Sequence, residues 1–394
     1  MAAELVYLLP KFNTESAEHF YHLYNFLGNL NEQIDLLVVV EQMSGSQQLA
    51  GGLRLVRVHT GQPALRLWEE LFLFLRARLR GTRKFYVHYS YTGAIAAGLV
   101  VRILGGECFY WNCGLYKDFA PGRGASLRER LFHARQVWLL ERSLHLCTWL
   151  VTGSPRMAEY YSRGARLPIE KIRLLPNFVD AGRFRSVDRE EARRQLGLTP
   201  SQPVFLFLHR VSLRKGAGYL PQLAEQLSAR LKSFTLLVVG DGPYLPELRR
   251  QVLARQLTEY FNFRGWVPNR DVPAFYRAAD VYLMPSQEEG FPHVLLEAMA
   301  AGCPFVGFDV GGVRDLVSPL QSPSIVPPGD LNRMASQCLR MLVDLPWRRA
   351  LIEDGYRRVE CFSQEEVSRA FIDLIRGHPR GWSEFQGKEG PTFS

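Results

Sequence analysis

Short apolar runs alternate with amphipathic stretches along almost the whole chain, and that alternation limits the fold more than any other feature of the sequence. Val204–His209 and Thr235–Val239 are near-continuous apolar runs, as expected of parallel strands covered on both faces. Phe261–Arg264, Val281–Met284, Phe305–Phe308 and Ser324–Val326 read as further strands, with helices Tyr219–Arg230, Tyr244–Gln256, Val272–Ala278 and His293–Ala301 between them. A first series precedes this one. Its strands are Leu5–Leu9, Ile34–Val40, Leu53–Val58, Lys84–His88, Glu107–Asn112, Trp149–Thr152 and Ile172–Leu175. Its helices are Ser16–Leu30, Ala64–Arg80, Tyr91–Leu104, Ser126–Leu146 and Pro155–Arg163. Such alternation specifies an α/β architecture with parallel sheets. The two series are expected as halves of similar size, joined by a charged, irregular stretch, Asp180–Pro203. Ligands of these folds bind beyond the carboxyl ends of strands, so the informative motifs are those that directly follow a strand.

Composition closes off other classes. With 47% hydrophobic and 22% charged residues, the 394-residue chain can bury large cores, which excludes a disordered protein. No apolar run reaches the roughly 18–20 residues of a membrane span, and the richest, Val137–Val151, is broken by Glu141, Arg142 and His145. The N-terminus enters Leu5–Leu9 with no basic region or cleavage site, so it reads as a strand and not a signal peptide, and a cytoplasmic protein is expected. Cys108, Cys113, Cys147, Cys303, Cys338 and Cys361 have no zinc-site spacing and are expected to be reduced and mostly buried. The net charge of +9 favours anionic partners. No nucleic-acid-binding motif accompanies it, so nucleic acid is not expected among them. The residues after Phe385 are expected to fray.

The most informative stretch, Glu288–Gly302, follows the strand Val281–Met284 and the turn Pro285-Ser286. Gly290 lets the backbone turn sharply and approach a ligand closely. Pro292 suits the first turn of a helix that Gly302 ends. The free N–H groups and positive end of that helix form an anion site suited to phosphate. Glu289 and Glu297 beside it need other partners, and sugar hydroxyls fit, since a carboxylate accepts several O–H donors. A second motif, His209-Arg210-Val211-Ser212-Leu213-Arg214-Lys215-Gly216, follows Val204–Leu208. Its Arg210 and Lys215 can neutralise a departing diphosphate.

Glu289 and Glu297, with seven residues between them and Gly-Phe-Pro after the first, resemble the EX7E motif of retaining glycosyltransferases with the GT-B fold, most closely glycosyltransferase family 4, the glycosyl transferases group 1. Arg210 and Lys215 match the Arg and Lys of the family's G-R-x-x-x-x-K-G, with His209 in place of its first Gly. Val238–Pro243, containing Gly240 and Gly242, resembles the family's glycine turn. Phe263–Val267, containing Trp266 and Val267, resembles the segment whose backbone receives the nucleotide base. Leu175–Asp180 resembles the domain-boundary stretch, and Phe362-Ser363-x-Glu365-x-Val367 the closing helix. The likeness is specific over residues 170–320. In the first half Glu15-Ser16 stands where the family has Gly-Gly, and Asn112-Cys113-Gly114 where many members have a His. His88 is the candidate to compensate, and Ser16, His19 and Asn112 are candidates on the acceptor side.

The resemblance implies two Rossmann-like parallel-sheet domains facing across a cleft. An acceptor-binding domain would comprise residues 1–178 with 362–394, its last helix crossing back, and a donor-binding domain residues 179–361. It implies transfer of a hexose-type sugar from a nucleotide-diphosphate sugar to a glycan, lipid-linked or small-molecule acceptor. The reaction would retain configuration through an oxocarbenium-like ion pair, the leaving phosphate taking the acceptor proton. Arg210 and Lys215 would hold the diphosphate, Glu289 the donor sugar hydroxyls and Glu297 the ribose hydroxyls. Gly290, Phe291 and Pro292 would contact phosphate or sugar. No Asp-x-Asp spacing occurs, so no essential metal is expected, and no cofactor besides the nucleotide-sugar co-substrate. The alternative is a catalytically weak or inactive GT-B protein that binds a nucleotide sugar, motivated by the absent His and Gly-Gly. Two basic amphipathic stretches, Arg66–Lys84 and Arg123–Arg142, either pack on the first sheet with Arg outward or lie on an anionic membrane.

Overall fold

The computed structural model of the chain describes residues 2–13, 23–44, 53–59, 61–114 and 126–386. Ser16, His19, Arg123 and the tail expected to fray beyond Gln386 lie outside the described residues. Two compact units form, residues 2–176 with 367–382 and residues 177–366 with 383–386.

The first unit is built on seven strands: β1 (Leu5–Asn13), β2 (Leu36–Ser44), β3 (Arg54–Arg57), β4 (Lys84–His88), β5 (Glu107–Trp111), β6 (Trp149–Thr152) and β7 (Ile172–Leu174). All pairings are parallel, in the order β3-β2-β1-β4-β5-β6-β7. Four helices matter below: α1 (Leu23–Asn31), α2 (Pro63–Leu79), α3 (Tyr91–Leu104) and α4 (Leu127–Leu146). The connections β3 to β4, β4 to β5 and β5 to β6 all step the same way across the sheet, and right-handed crossovers put their helices α2, α3 and α4 on one face. Arg78 Nε on α2 donates to the Gly105 carbonyl just past α3 at 2.7 Å, and Ser143 Oγ on α4 donates to the Tyr91 carbonyl at 3.2 Å. The step from β1 to β2 runs the other way, so α1 covers the opposite face. There the returning helix Gln364–Arg376 brings Phe371 against Tyr7, Phe26 and Tyr86.

The second unit carries β8 (Val204–Leu208), β9 (Thr235–Val239), β10 (Phe261–Gly265), β11 (Val281–Met284), β12 (Phe305–Phe308) and β13 (Ile325–Val326). They are parallel, in the order β10-β9-β8-β11-β12-β13. Strand interiors are fully buried on both faces: Phe205, Leu236 and Leu283 on one, and Leu206 and Leu237 on the other, expose nothing.

Asp180–Pro203 is not irregular, which corrects the expectation from sequence. Ala181–Arg185 and Arg189–Gln195 are helices whose first turns are capped by Asp180 (accepting from Arg183 N–H, 3.1 Å) and Asp188 (from Glu191 N–H, 2.9 Å). Their anchor is remote in sequence. Asp280, buried just before β11, accepts from Arg193 at 2.6 Å, Arg189 at 2.7 Å, Arg348 at 3.0 Å and the Val204 N–H at 2.8 Å. Two further helices, Leu331–Val343 and Leu345–Glu360, start on Asp330 and Asp344 caps.

Burial would lift the Asp280 carboxyl, but Arg189 and Arg193, with the Val204 N–H and Arg348, hold it below its ordinary value. Asp280→Ala leaves the buried Arg193 without its counter-charge and should cost about 3–5 kcal/mol in urea unfolding at neutral pH. A depressed native pKa contributes stability above the unfolded value of about 3.9, lost as pH falls through the native one. The variant should therefore lose stability less steeply than the parent over that acid range.

Candidate functional site

β8 and β11 are neighbours, Phe205 opposite Val281 and Leu206 opposite Tyr282. Strand order reverses between them, and at such a switch point the loops leaving the two carboxyl ends diverge and open a ligand crevice. The loop after β8 carries His209–Gly216 and the loop after β11 carries Pro285–Pro292. They touch through backbone: the Gln287 N–H donates to the Arg214 carbonyl at 2.9 Å. Gly216 has φ +78°, and a Cβ there would stand 1.8 Å from the Pro285 carbonyl oxygen, so only glycine fits.

This contact sets Lys215 against Glu289. Glu289 is buried, and its Oε1 accepts from Lys215 Nζ at 2.7 Å, with His209 Nε2 at 3.5 Å. Its Oε2 has no hydrogen-bond partner among the described residues and is the oxygen left for a ligand. His209 Nδ1 accepts the Arg210 N–H at 2.9 Å, which places the ring proton on Nε2, facing the carboxylate. Burial alone would raise the Glu289 pKa, but Lys215 and then His209 hold it well below the carboxylate range. Burial and Lys215 lower the pKa of His209. At neutral pH Glu289 is thus a carboxylate and His209 a neutral imidazole. Arg210 is exposed, and its guanidinium has no partner among the described residues. The neighbouring Glu288 is buried, with Arg214 at 3.5 Å.

Gly290 turns without a left-handed φ. Its carbonyl accepts from the Gly312 N–H at 3.0 Å, and that of Phe291 from Asn177 Nδ2 at 2.7 Å. The Phe291 ring meets Phe362 edge-on at 5.5 Å. Pro292 is the N-cap of the helix His293–Ala300, and its carbonyl accepts from the Leu295 N–H at 3.3 Å. His293 is half-buried, and burial lowers its pKa to about 4. Glu297, one turn in, is buried and accepts from Tyr276 Oη at 3.1 Å. Tyr276 lies on Val272–Ala278 and had no sequence signal, since a Tyr on an amphipathic helix reads as core.

Gly240 and Gly242 serve loop packing: a Cβ on either would meet the carbonyl of His209 at 2.0 Å or of Val211 at 2.4 Å. They bring the turn after β9 against the loop that holds His209 and Arg210. Gly240 N–H also donates to the Gly265 carbonyl at 2.7 Å, ahead of the exposed Trp266 and the half-buried Val267.

His88 and Asn112 belong to the first unit, at the carboxyl ends of β4 and β5. His88 is buried, stacks on Trp111 at 4.4 Å and shares a 3.2 Å hydrogen bond between Nδ1 and Tyr7 Oη. Tyr89, directly after it, has a left-handed φ of +58°, rare for a bulky residue. The Asn112 amide is engaged on both sides, donating to Tyr110 Oη at 2.8 Å and accepting from Tyr161 Oη at 2.7 Å. Among the described residues no three His, Cys, Asp or Glu side chains converge as a metal site.

Known proteins resemble this chain in sequence and in fold. The sequence profile of the glycosyl transferases group 1 matches residues 188–358. The 2-deoxystreptamine N-acetyl-D-glucosaminyltransferase of Streptomyces fradiae is 34% identical over 335 residues, covering 80% of this chain and 78% of that protein. The GDP-mannose-dependent alpha-(1-6)-phosphatidylinositol monomannoside mannosyltransferase of Mycobacterium tuberculosis is 31% identical over 220 residues, 53% of this chain and 57% of that protein. The solved structure of sucrose-phosphate synthase from Thermosynechococcus elongatus has a TM-score of 0.74 at 22% identity, covering 95% of this chain and 98% of that one. That likeness is one of fold, the GT-B fold with its two Rossmann-like parallel-sheet domains. With the Streptomyces protein related over most of both lengths, the chain belongs to the glycosyl transferases group 1 family of glycosyltransferases.

Proposed function

We propose that the chain transfers a hexose from a nucleotide-diphosphate sugar to a hydroxyl of a glycan, lipid-linked or small-molecule acceptor, with retention of configuration and without a metal. The observation that carries this reading is the Lys215–Glu289 pair, buried at the switch point with one carboxylate oxygen open. A nucleotide-sugar donor fits the name of the Mycobacterium relative, which is GDP-mannose-dependent. The two relatives act on unlike acceptors, an aminocyclitol and a phosphatidylinositol glycolipid by their names, which matches the breadth of the acceptor class.

In this reading Lys215 and the unpaired Arg210 hold the diphosphate and neutralise the charge it gains as it leaves. Glu289 Oε2 accepts donor-sugar hydroxyls, and Glu297 the ribose hydroxyls. The bond from the anomeric carbon to phosphate breaks, and the new bond to the acceptor oxygen forms on the same face. The acceptor proton passes to the departing phosphate oxygen. No side chain forms a bond to the sugar; the protein supplies position and charge. The cations take the electrostatic part that a divalent ion would otherwise play. We assign the carboxyl edge of the first sheet, with His88 and Asn112, to the acceptor. We place the protein in the cytoplasm, a reading supported by six free cysteines of which five are buried.

The test is release of UDP, GDP or ADP from the common nucleotide hexoses, with and without EDTA, and the anomeric configuration of the product by NMR. Stoichiometric diphosphate, an unchanged rate in EDTA and a retained anomer are expected. Tight nucleotide binding with no release would return the chain to the inactive alternative. Glu289→Gln should lower kcat by roughly 10²–10³-fold. Glu297→Ala should raise the donor KM about 10- to 100-fold with little change in kcat, the equivalent of a hydrogen bond to a charged group.

The pH profile gives a separate check. Glu289 stays ionised and His209 neutral across the neutral range, so neither should produce a break in kcat/KM between about pH 7 and 8. In Lys215→Met the burial that opposes ionisation of Glu289 is offset only by His209. Its pKa rises and the acid limb should move toward neutrality. His209→Gln keeps an N–H donor toward Glu289 and should retain more activity than His209→Leu.

A further inference from the structure

The face of the first unit formed by α2, α3 and α4 turns large apolar side chains outward. Along α2, Leu65, Trp68, Phe72, Leu75 and Leu79 recur every three or four residues and are exposed, Trp68 by 69% and Leu79 by 72%. Glu70, Phe74 and Ala77 form the buried stripe of the same helix. On α4, Leu127, Leu131, Phe132 and Trp138 are exposed, and Ile103 near the end of α3 joins them. More than half of the large apolar side chains that the described residues expose stand on these three helices. A lone exposed Leu needs no explanation, whereas a patch shared by three neighbouring helices does. Among the described residues no helix is long and apolar enough to cross a membrane, so these side chains belong to a surface contact.

The unpaired charges of the patch have one sign. Arg76, Arg80, Arg128, Arg130 and Arg135 are exposed, with no side-chain partner among the described residues. Of the acids between them, Glu70 is buried and its pKa is pushed up to about 9 by burial, Glu69 accepts from the His59 N–H, and Glu129 closes the capping box with Ser126. Phe72, Leu75, Arg76, Leu79 and Arg80 line one open groove of about 400 Å³, so cationic and apolar groups act at the same place. A second copy of this face would set cation against cation. Anionic headgroups complement the arginines while Trp, Phe and Leu enter the layer beneath them.

We propose that this face docks the chain on an anionic lipid bilayer, with Trp68, Phe72 and Trp138 inserted below the headgroups. The docking stands apart from the glycosyl-transfer reading, because vesicle binding is measured without donor or acceptor. The full chain is floated with vesicles of phosphatidylcholine alone or mixed with phosphatidylglycerol, at low and at physiological salt. At least ~10-fold more protein should float with the anionic vesicles, less so as salt rises. The triple variant W68S/F72S/W138S, checked for a parental melting temperature, should lose at least ~10-fold of that binding. The variant R76Q/R80Q/R128Q/R135Q should lose the preference for phosphatidylglycerol. No flotation of the parent, or equal flotation of parent and triple variant, overturns the proposal. A dimer in sedimentation velocity that the triple variant disperses would overturn it too, by giving the face to a second copy.

Discussion

The loops after β8 and β11 share one site because Gly216 has no side chain. A Cβ on it would stand 1.8 Å from the Pro285 carbonyl, so any other residue pushes the loops apart. From this approach follow the Gln287–Arg214 backbone bond, the 2.7 Å contact of Lys215 with Glu289 and the reach of His209 to the same oxygen. A buried ion pair is a poor source of stability, since desolvation offsets its attraction. Here backbone geometry holds the pair together, and what the pair provides is a carboxylate kept ionised and aimed.

β11 runs between two buried acids with opposite arrangements. Asp280, before the strand, has both oxygens occupied by arginines and the Val204 N–H. Glu289, beyond its carboxyl end, has one oxygen occupied and one open. The first is saturated and fastens helix Arg189–Gln195 to the sheet. The second is half-satisfied, which in a packed interior is costly and at a binding site is the point. The open carboxylate oxygen is thus found at one end of the strand only.

Much of this was legible in the sequence. Strand runs such as Val204–Leu208 and Thr235–Val239 stood out because parallel strands are apolar on both faces, Arg210, Lys215 and Glu289 because they lie in loops that follow strands, and Glu297 because of its spacing from Glu289. Residues whose partners lie far away in the chain were not. Asp180–Pro203 looked irregular since its charges match no helical period; its helices rest on caps and on Asp280, some 90 residues away. Tyr276 was invisible because nothing in a short helix announces a hydrogen bond to Glu297. Periodicity shows which residues of Arg66–Lys84 share a face, but not which face meets the sheet. That is decided by packing on α3, and it leaves Trp68 and Phe72 outside.

The first unit is not continuous in sequence. Phe371 packs on Tyr86 at 4.8 Å and on Tyr7 at 5.9 Å, yet residues 177–366 separate it from the strands it covers. On the ribosome, at roughly 5–20 residues per second, that interval lasts on the order of 10–40 s. Through it the first sheet has been made but part of the face that α1 shares waits uncovered, while the whole second sheet emerges. Synthesis therefore imposes an order of assembly that the finished architecture does not show: the unit begun first waits for a segment made after nearly all of the second, and its nascent aromatic face must be kept from wrong partners until then.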